Sequence, residues 1–322
     1  MITKFKRTAT LAAAAALMLA SGPAFADYPD RAVTIICPWS AGGGSDATAR
    51  IVAKLLQDEL GQPVNVVNRT GGGAVIGHTD MAEAKPDGYT LGNITTELSM
   101  FHWLGQSDLD YTSYTPIGLF NADYGAVFVA TGSPYKTLQG LVDALKQDSA
   151  AVPAGGANIG GVNHLAWAQL VNEAGGREAF WVPSEGAAPA LQLLTSGVIQ
   201  AAVVQFPEAR ALLDAGEIRP LATLGTERNV NYPDVPTVKE AANLDVAISG
   251  WRGLAAPKGT APEIVATLGA ALEKVTASDE FKAFMEARQF GPTYLPPEKF
   301  EQYLADRDAQ FGNALKAAGL AK

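Results

Sequence analysis

Residues 38–46 (PWSAGGGSD) combine hydroxyl groups, a carboxylate and three consecutive glycines between an apolar run and a helical pattern. Glycines let a backbone approach a ligand closely and adopt positive φ angles. Ser45 or Asp46 could cap the helix that follows, whose first N–H groups and partial positive charge are typical of an anion site. The candidate ligand-binding residues of this segment are Trp39, Ser40, Ala41, Gly42, Gly43, Ser45 and Asp46.

A second glycine-rich segment, residues 154–164 (AGGANIGGVNH), also leads into a helical pattern. Two helix N-termini facing each other across a cleft could bind one anion from both sides; ordinary tight turns are the alternative interpretation. Further loops follow predicted strands at residues 93–96, 182–190 and 205, where open α/β sheets bind ligands. The candidates from these segments are Thr95, Thr96, Gly160, Gly161, Asn163, His164, Ser184 and Gln205.

Several other kinds of site are disfavoured by the sequence. Residues 42–47 (GGGSDA) formally fit a dinucleotide-binding loop, but no carboxylate stands near Asn68, where the ribose would need one. There is no Walker lysine pattern and no G-x-S-x-G elbow. One cysteine and three widely spaced histidines disfavour a metal centre. We therefore expect neither a cofactor nor a metal.

The elements that must position these loops alternate between apolar strands and helical patterns. Strands are predicted at 32–37, 64–67 and 89–94, with helices between them, and this βαβαβ order implies a parallel sheet covered by helices. A similar unit starts with a strand at 125–130. The fold class is therefore α/β. No low-complexity linker separates the halves, so we expect the chain to cross between two domains on strands.

Residues 1–26 have the pattern of a secretory signal peptide. A basic start and an apolar run of about a dozen residues precede Ala24-Phe25-Ala26. The run is shorter than the roughly 20 residues of a membrane-spanning helix. We predict cleavage after Ala26 and a periplasmic location. Cleavage would leave 21 basic and 33 acidic residues, a formal charge of −12, which is unsuited to nucleic acid.

Motifs along nearly the whole predicted mature chain resemble the periplasmic solute-binding proteins of tripartite tricarboxylate transporters, the TctC or Bug-type receptors. The motifs that carry this resemblance are residues 28–29 (YP), 38–46, 61–69 (GQPVNVVNR), 71–77, 85–91 (KPDGYTL), 163–166 (NHLA), 182–190, 233–241 and 251–259 (WRGLAAPKG). The resemblance implies a type II-like Venus-flytrap fold, with two doubly wound sheets and a hinge. It also implies a small carboxylate, bound largely by main-chain N–H groups and hydroxyls.

On this basis we expect domain 1 to contain residues 27–124 and 250–322, and domain 2 residues 125–249. Some positions depart from the family pattern, among them Glu185, which stands after Ser184 where a Tyr-Lys pair is frequent. Glu185 could meet an amino group of the ligand or face solvent. Trp251 could line the cleft or pack the hinge. His164 could contact the ligand or act as a hydrogen-bonding residue at a helix start.

The function expected from the resemblance is that of a receptor and not an enzyme. The monomeric protein would capture a di- or tricarboxylate, an acidic amino acid or an aromatic acid, and deliver it to the membrane permease of a tripartite transporter. A ligand-dependent periplasmic sensor partner is an alternative. An exported hydrolase is a further alternative, with His164 as base and Ser40, Ser45 or Ser184 as nucleophile.

Overall fold

The computed structural model describes residues 28–177, 179–184 and 186–322. The predicted signal peptide and Glu185 lie outside these residues. The strands are β1 (Val33–Cys37), β2 (Val64–Asn68), β3 (Thr90–Thr95), β4 (Tyr114–Ala130), β5 (Ala154–Gly155), β6 (Trp181–Val182), β7 (Ala201–Gln205), β8 (Ile218–Thr223), β9 (Ser249–Pro257) and β10 (Pro292–Leu295). The helices are α1 (Gly44–Leu60), α2 (Val75–Ala82), α3 (Leu138–Asp148), α4 (Val162–Glu173), α5 (Ala187–Thr195), α6 (Phe206–Asp214), α7 (Val238–Ala242), α8 (Pro262–Ala277), α9 (Asp279–Arg288) and α10 (Pro297–Ala317).

The strands form two sheet halves that share the long strand β4. In the first half the order is β2-β1-β3-β9-β4, with β1 parallel to β2 and β3, and β9 antiparallel to β3 and β4. In the second half β7 and β8 pair with β4, and β5 lies between β7 and β6. The partner of β4 changes after Tyr124, which pairs with β9, whereas Gly125 pairs with β7. The chain therefore crosses between the halves on a strand, as expected.

Each sheet half is covered on both faces. In β1, Val33 and Ile35 pack into one hydrophobic cluster with α1 and α8, while Ile36 packs into another with Met81 of α2 and with α10. Neighbouring residues of β4 and β7 likewise enter opposite clusters in the second half. This alternation is the period-two pattern of strands buried on both faces. It makes both halves doubly wound.

The strand prediction at 125–130 was too short, because β4 begins at Tyr114. Its first part contains Pro116, Gly118, Asn121 and Asp123, which interrupt an apolar strand pattern. The pairing with β9 shifts register in this part of the strand. Such shifts accommodate residues that a regular strand disfavours. Helix α9 and strand β10 were also not predicted.

The C-terminal helix α10 joins the two hydrophobic cores. Phe300 and Leu304 pack with the core under β1 and β3, whereas Phe311 and Leu315, later in the same helix, pack into the core of the second half. All four side chains are almost completely buried. The helix is therefore a second connection between the halves, in addition to the shared sheet.

Candidate functional site

A cleft of about 880 Å³ lies between the two halves. Its walls come from the loops after β1, β2, β3, β5, β6 and β7 and from the start of β9. The predicted site residues that line it are Trp39, Ser40, Gly42, Gly43, Ser45, Thr95, Thr96, Gly161, Asn163, Ser184 and Gln205. The structure thus brings together residues that are up to 166 positions apart in the sequence.

Three helix N-termini face this cleft without a side-chain cap. Helices α1, α4 and α5 begin after Gly43, Gly161 and Gly186, and no side chain accepts a hydrogen bond from their first N–H groups. Among the other described helices, α2, α8 and α10 also lack a side-chain cap, whereas in α3, α7 and α9 the N-cap side chain accepts one. The cleft therefore presents unpaired backbone donors and three partial positive charges to whatever occupies it.

The first glycine-rich loop is held in place by Asp46, in the first turn of α1. Its carboxylate accepts hydrogen bonds from the Gly42 backbone N–H at 2.8 Å, from Asn68 Nδ2 at 2.9 Å and from Arg50 Nε at 3.0 Å. Burial favours the neutral acid, but these hydrogen bonds outweigh burial and lower the pKa of the Asp46 carboxyl. Asp46 does not line the cleft; it fixes the loop that does.

The second glycine-rich loop is held in the same way. The Gly160 backbone N–H donates to Nδ1 of His164, four residues later, at 3.0 Å. Burial lowers the pKa of the His164 imidazole, which favours the neutral ring that can accept this bond. The ring also packs against Trp181, at 5.2 Å between centroids. Neither Gly160 nor His164 lines the cleft, so His164 acts here as a helix-start hydrogen bonder.

The cleft segment at the end of β3 is held in place by His78, a fully buried histidine. Nε2 of His78 accepts the Thr95 backbone N–H at 3.2 Å, while its Nδ1 lies 2.9 Å from the Ala74 carbonyl oxygen. Because Nε2 accepts, the proton belongs on Nδ1, which donates to Ala74. The Thr95 hydroxyl then accepts from Trp39 Nε1 at 3.3 Å and donates to Glu97 at 2.6 Å.

Arg252 of β9 joins the first loop to strand β4. Its guanidinium donates to Ser45 Oγ at 2.9 Å, to Asn121, and to Asp123 at 2.7 Å. Asp123 is almost fully buried, and Arg252 is only 13% exposed. A buried, hydrogen-bonded pair of this kind is costly to break. The Arg252 guanidinium holds Ser45 at the cleft, and its positive charge is already neutralised by Asp123.

Trp251 is a packing residue with its backbone at the cleft. Its side chain is 1% exposed and lies edge-on to Phe300 and Tyr303. Its N–H and C=O both bond to the Thr96 hydroxyl, at 2.6 and 3.3 Å. Trp251 thus packs where β9 passes between the halves.

Two hydrogen bonds connect the halves at the cleft mouth. Arg210 of α6 donates to the Ala287 carbonyl of α9 at 2.7 Å, and the Tyr232 hydroxyl donates to Gln289 at 2.7 Å. Because α6 and Tyr232 pack with the second half and α9 with the first, these contacts span the two halves.

Other lining residues were absent from the predicted set. They include Glu97, Asn158, Pro207, Glu208, Arg210, Arg252, Arg288, Phe290 and the loop residues 70–74 and 186–189. The glycine-rich patterns of the two loops were the available signal for them. Glu208, Arg252 and Phe290 reach the cleft from the first turn of a helix, an antiparallel strand and a turn, and none of them belongs to a glycine-rich pattern. Ala41 was predicted but is not among the lining residues.

Among the described residues, neither a metal site nor a hydrogen bond between histidine and Ser45 or Ser184 is formed. Within residues 28–177, 179–184 and 186–322, no three His, Cys, Asp or Glu side chains are placed to hold a metal ion. In that same part of the chain, Ser184 donates to the Gly186 carbonyl and Ser45 accepts from Arg252, and neither bonds to a histidine. Helices of sufficient length and hydropathy to cross a bilayer are also lacking among those residues.

Comparison with known proteins identifies the family. Residues 48–320 match the tripartite tricarboxylate transporter family receptor, TctC. The protein BugT of Bordetella pertussis is 30% identical over 310 residues, covering 93% of each chain. A structure from R. palustris with adipate is 27% identical, with a TM-score of 0.83 and coverage of 92% of this chain and 99% of that one. MatC from Rhodopseudomonas palustris, with bound malate, is 26% identical, with a TM-score of 0.77 and coverage of 89% and 100%.

These similarities extend over both halves of the molecule, so the two-domain α/β binding-protein fold expected from the resemblance is confirmed. The chain belongs to the TctC, or Bug-type, family of tripartite tricarboxylate transporter receptors.

Proposed function

We propose that this protein is an exported receptor that captures a small carboxylate between its two domains and delivers it to the membrane permease of a tripartite tricarboxylate transporter. The observation that carries the proposal is the convergence of three helix N-termini, each with a glycine N-cap and no side-chain cap, on one cleft. Backbone donors and helix dipoles favour an anion at that place. The carboxylate ligands of the similar structures, adipate and malate, support the same ligand class.

The number of donors is sufficient for useful affinity. Each hydrogen bond to a charged group contributes roughly 1.5–3 kcal/mol, and micromolar binding requires about 8 kcal/mol net. Five donors at the upper end of that range give about 15 kcal/mol, which leaves about 8 kcal/mol when association costs about 7 kcal/mol. No arginine has to be released from an existing ion pair.

Domain 1 comprises residues 27–124 and 250–322 in this proposal, and domain 2 residues 125–249. Support comes from the change of strand partner after Tyr124 and from the return of the chain on β9. Closure is a hinge motion at these two strands. In this proposal the contacts of Arg210 with Ala287 and of Tyr232 with Gln289 stabilise the closed form.

The remaining parts of the proposal rest on the predictions made from the sequence. Residues 1–26 direct the chain to the periplasm and are cleaved after Ala26, which intact-mass measurement of the exported protein tests. The mature protein acts as a monomer without cofactor, metal or nucleic acid, and it binds its ligand without chemical conversion. The family to which it belongs is one of receptors, which supports this proposal.

A thermal-shift screen of the mature, refolded protein against carboxylates tests the ligand class, with sugars as controls. Refolding removes any co-purified ligand. A ligand that binds only the folded state at 100 times its Kd adds about 2.7 kcal/mol of stability, so a true ligand raises the melting temperature. Shifts with sugars and none with any carboxylate would refute the proposal.

Gly161→Trp tests the position of the site. Gly161 has an ordinary φ of −76°, so a side chain there needs no positive φ angle, but its Cβ would lie 2.9 Å from Asn158 Oδ1 and would displace that lining side chain. We expect at least a tenfold loss of carboxylate affinity by calorimetry. Gly132→Trp is the matched control, because a Cβ at Gly132 would meet open space outside the cleft. Equal affinities of the two variants would place the ligand elsewhere.

A further inference from the structure

The arginine side chains that line the cleft differ in whether their charge is already neutralised. Arg252 is paired with Asp123 at 2.7 Å, and Arg210 lies 3.5 Å from Asp214. For Arg288, no Asp or Glu oxygen of the described residues lies within 4.0 Å of a side-chain nitrogen. Arg288 therefore brings an unpaired positive charge to the cleft.

Arg288 lies at the mouth of the cleft, where the two halves meet. It occupies the last turn of α9, and the carbonyl of the preceding residue, Ala287, accepts the 2.7 Å hydrogen bond from Arg210 of the second half. The side chain is exposed, and its guanidinium carbon lies 4.9 Å from the centroid of the Phe284 ring, one turn earlier. A ligand that arrives from solvent meets this charge before it reaches the buried groups of the cleft.

An open groove of about 270 Å³ lies between α1 and α9, beside the cleft. Ala47 and Arg288 line both spaces, so the groove and the cleft are adjacent. The groove combines cationic side chains with apolar ones, of which Ile51 is 7% exposed and Phe284 is half-buried. Its other lining residues are Arg50 and Lys54.

The cations of the groove outnumber the acids that pair with them. Arg50 is paired with the buried Asp46 at 2.9 Å, and Lys54 is paired with Glu280. Arg288 adds a further cation without an acid. The Lys54–Glu280 pair is more than half exposed on both sides, so solvent screens it and an arriving anion can replace Glu280 at little cost. The groove therefore favours an anion.

The acids that line the cleft do not neutralise Arg288. They are Glu97 and Glu208, and neither has an oxygen within 4.0 Å of an Arg288 nitrogen. Burial raises the pKa of both carboxyls, and the cation that lowers each pKa is Arg252. Both acids thus lie in the field of Arg252, and the charge of Arg288 remains available at the mouth.

Resting on the proposed function, we propose that Arg288 and the groove between α1 and α9 form an entry site, which an anionic ligand occupies before the two domains close. The chemical class that fits the entry site is a carboxylate with an apolar stem. The carboxylate pairs with Arg288, and the stem contacts Ile51 and Phe284. The ligand then passes Ala47 to the uncapped start of α1, and closure follows. Arg288 is a positioning residue for capture and contributes little to the closed complex.

The overall charge of the protein explains why capture depends on such a residue. The predicted mature chain has 21 basic and 33 acidic residues, a formal charge of −12, which repels anions at long range. Charges farther apart than about 8 Å are largely screened at physiological ionic strength. An unpaired cation at the mouth therefore outweighs the distant acids for an anion that has come close.

Stopped-flow tryptophan fluorescence of the refolded mature protein measures capture, since Trp39 lines the cleft. The probes are adipate, malate and the carboxylate that gives the largest thermal shift. We expect Arg288→Gln to lower the association rate constant about fivefold at about 10 mM salt, where the Debye length is about 30 Å, and to have no effect at about 1 M salt. The dissociation rate constant stays within about twofold, because affinity changes through capture alone.

Three further variants assign the effect. Lys282→Gln removes the same charge from an exposed residue of α9 that lines neither the cleft nor the groove, and it leaves association unchanged. Arg288→Lys keeps the charge and restores rapid association. Lys54→Gln, in the groove, slows association about twofold at about 10 mM salt. Circular dichroism melting of each variant confirms that it folds.

The outcomes separate the entry site from the proposed function. If Arg288→Gln slows association no more than Lys282→Gln does, the entry site is wrong while the receptor proposal stands. If Arg288→Gln instead raises the dissociation rate and leaves association unchanged, Arg288 holds the bound ligand and has no role in capture. An unchanged rate in Lys54→Gln would exclude the groove from the entry site. If no carboxylate changes the fluorescence or the melting temperature of the unsubstituted protein, the receptor proposal fails and the entry site fails with it.

Discussion

Replacing Asp46 with alanine tests whether the first binding loop depends on a carboxylate outside the cleft. The substitution removes the acceptor of the Gly42 N–H and of Asn68 Nδ2, at 2.8 and 2.9 Å. It also breaks the ion pair with Arg50, whose side chain is 50% exposed. Because the three donors hold the loop and the second strand together, their loss affects both stability and ligand affinity.

The magnitude follows from these contacts. The two bonds from neutral donors to a buried carboxylate contribute roughly 1.5 kcal/mol each at the low end. The half-exposed Arg50 pair adds less than about 1 kcal/mol, because solvent screens it. A loss of about 3 kcal/mol lowers the melting temperature by roughly 6 °C at about 2 °C per kcal/mol.

The stabilisation by Asp46 also depends on pH, because the pKa of its carboxyl in the folded state lies below the ordinary 3.8. The stabilisation is present above pH 3.8 and is lost as the pH falls through the folded-state pKa.

The assay is urea unfolding of the ligand-free protein at pH 7, with Asp58→Ala as the control. Asp58 lies on the same helix, is exposed, and accepts no side-chain hydrogen bond in the described part of the chain. We expect the unfolding free energy to fall by about 3 kcal/mol in Asp46→Ala and by less than about 0.5 kcal/mol in the control. Carboxylate affinity falls as well, because Gly42 and Gly43 are no longer held. Equal free energies of unfolding for the two variants would refute the role assigned to Asp46.

Two further predictions concern the buried histidine and the cleft mouth. Burial lowers the pKa of His78 from 6.5 to about 4, so the unfolded chain binds a proton first on acidification, and about 3 kcal/mol of stability is lost between pH 6.5 and pH 4. Urea unfolding at both pH values measures this loss against His78→Gln, and an equal loss in the variant would contradict the assignment to His78. Tyr232→Phe removes the 2.7 Å hydrogen bond to Gln289, and a contribution of about 1 kcal/mol from that bond implies roughly fivefold faster ligand dissociation by stopped-flow fluorescence. An unchanged dissociation rate would show that the bond does not stabilise the closed form.

Local sequence patterns were sufficient for the α/β class, the helices between the first strands and the two glycine-rich loops. Periodicity predicts α1 because it buries one apolar face, and glycine marks where the backbone needs a positive φ, as at Gly42 (φ 83°) and Gly160 (φ 79°). The order of motifs was enough to identify the family. Each of these features depends on residues that are close together in the sequence or on the order of motifs along it. The sequence alone therefore contains them.

Only the tertiary structure decided which residues meet at the cleft and in what role. Asp46 and His164 share a sequence pattern with ligand-binding residues, yet both turn toward a backbone N–H four residues earlier. Glu97 and Glu208 lie outside the glycine-rich motifs, and both line the cleft because β3 and β7 end beside it. From the sequence, Arg252 could be a cation available to a ligand. In the fold its charge is neutralised by the Asp123 carboxylate, 2.7 Å away, and its role is structural. Such roles depend on distances between segments far apart in the chain, which composition and spacing do not encode.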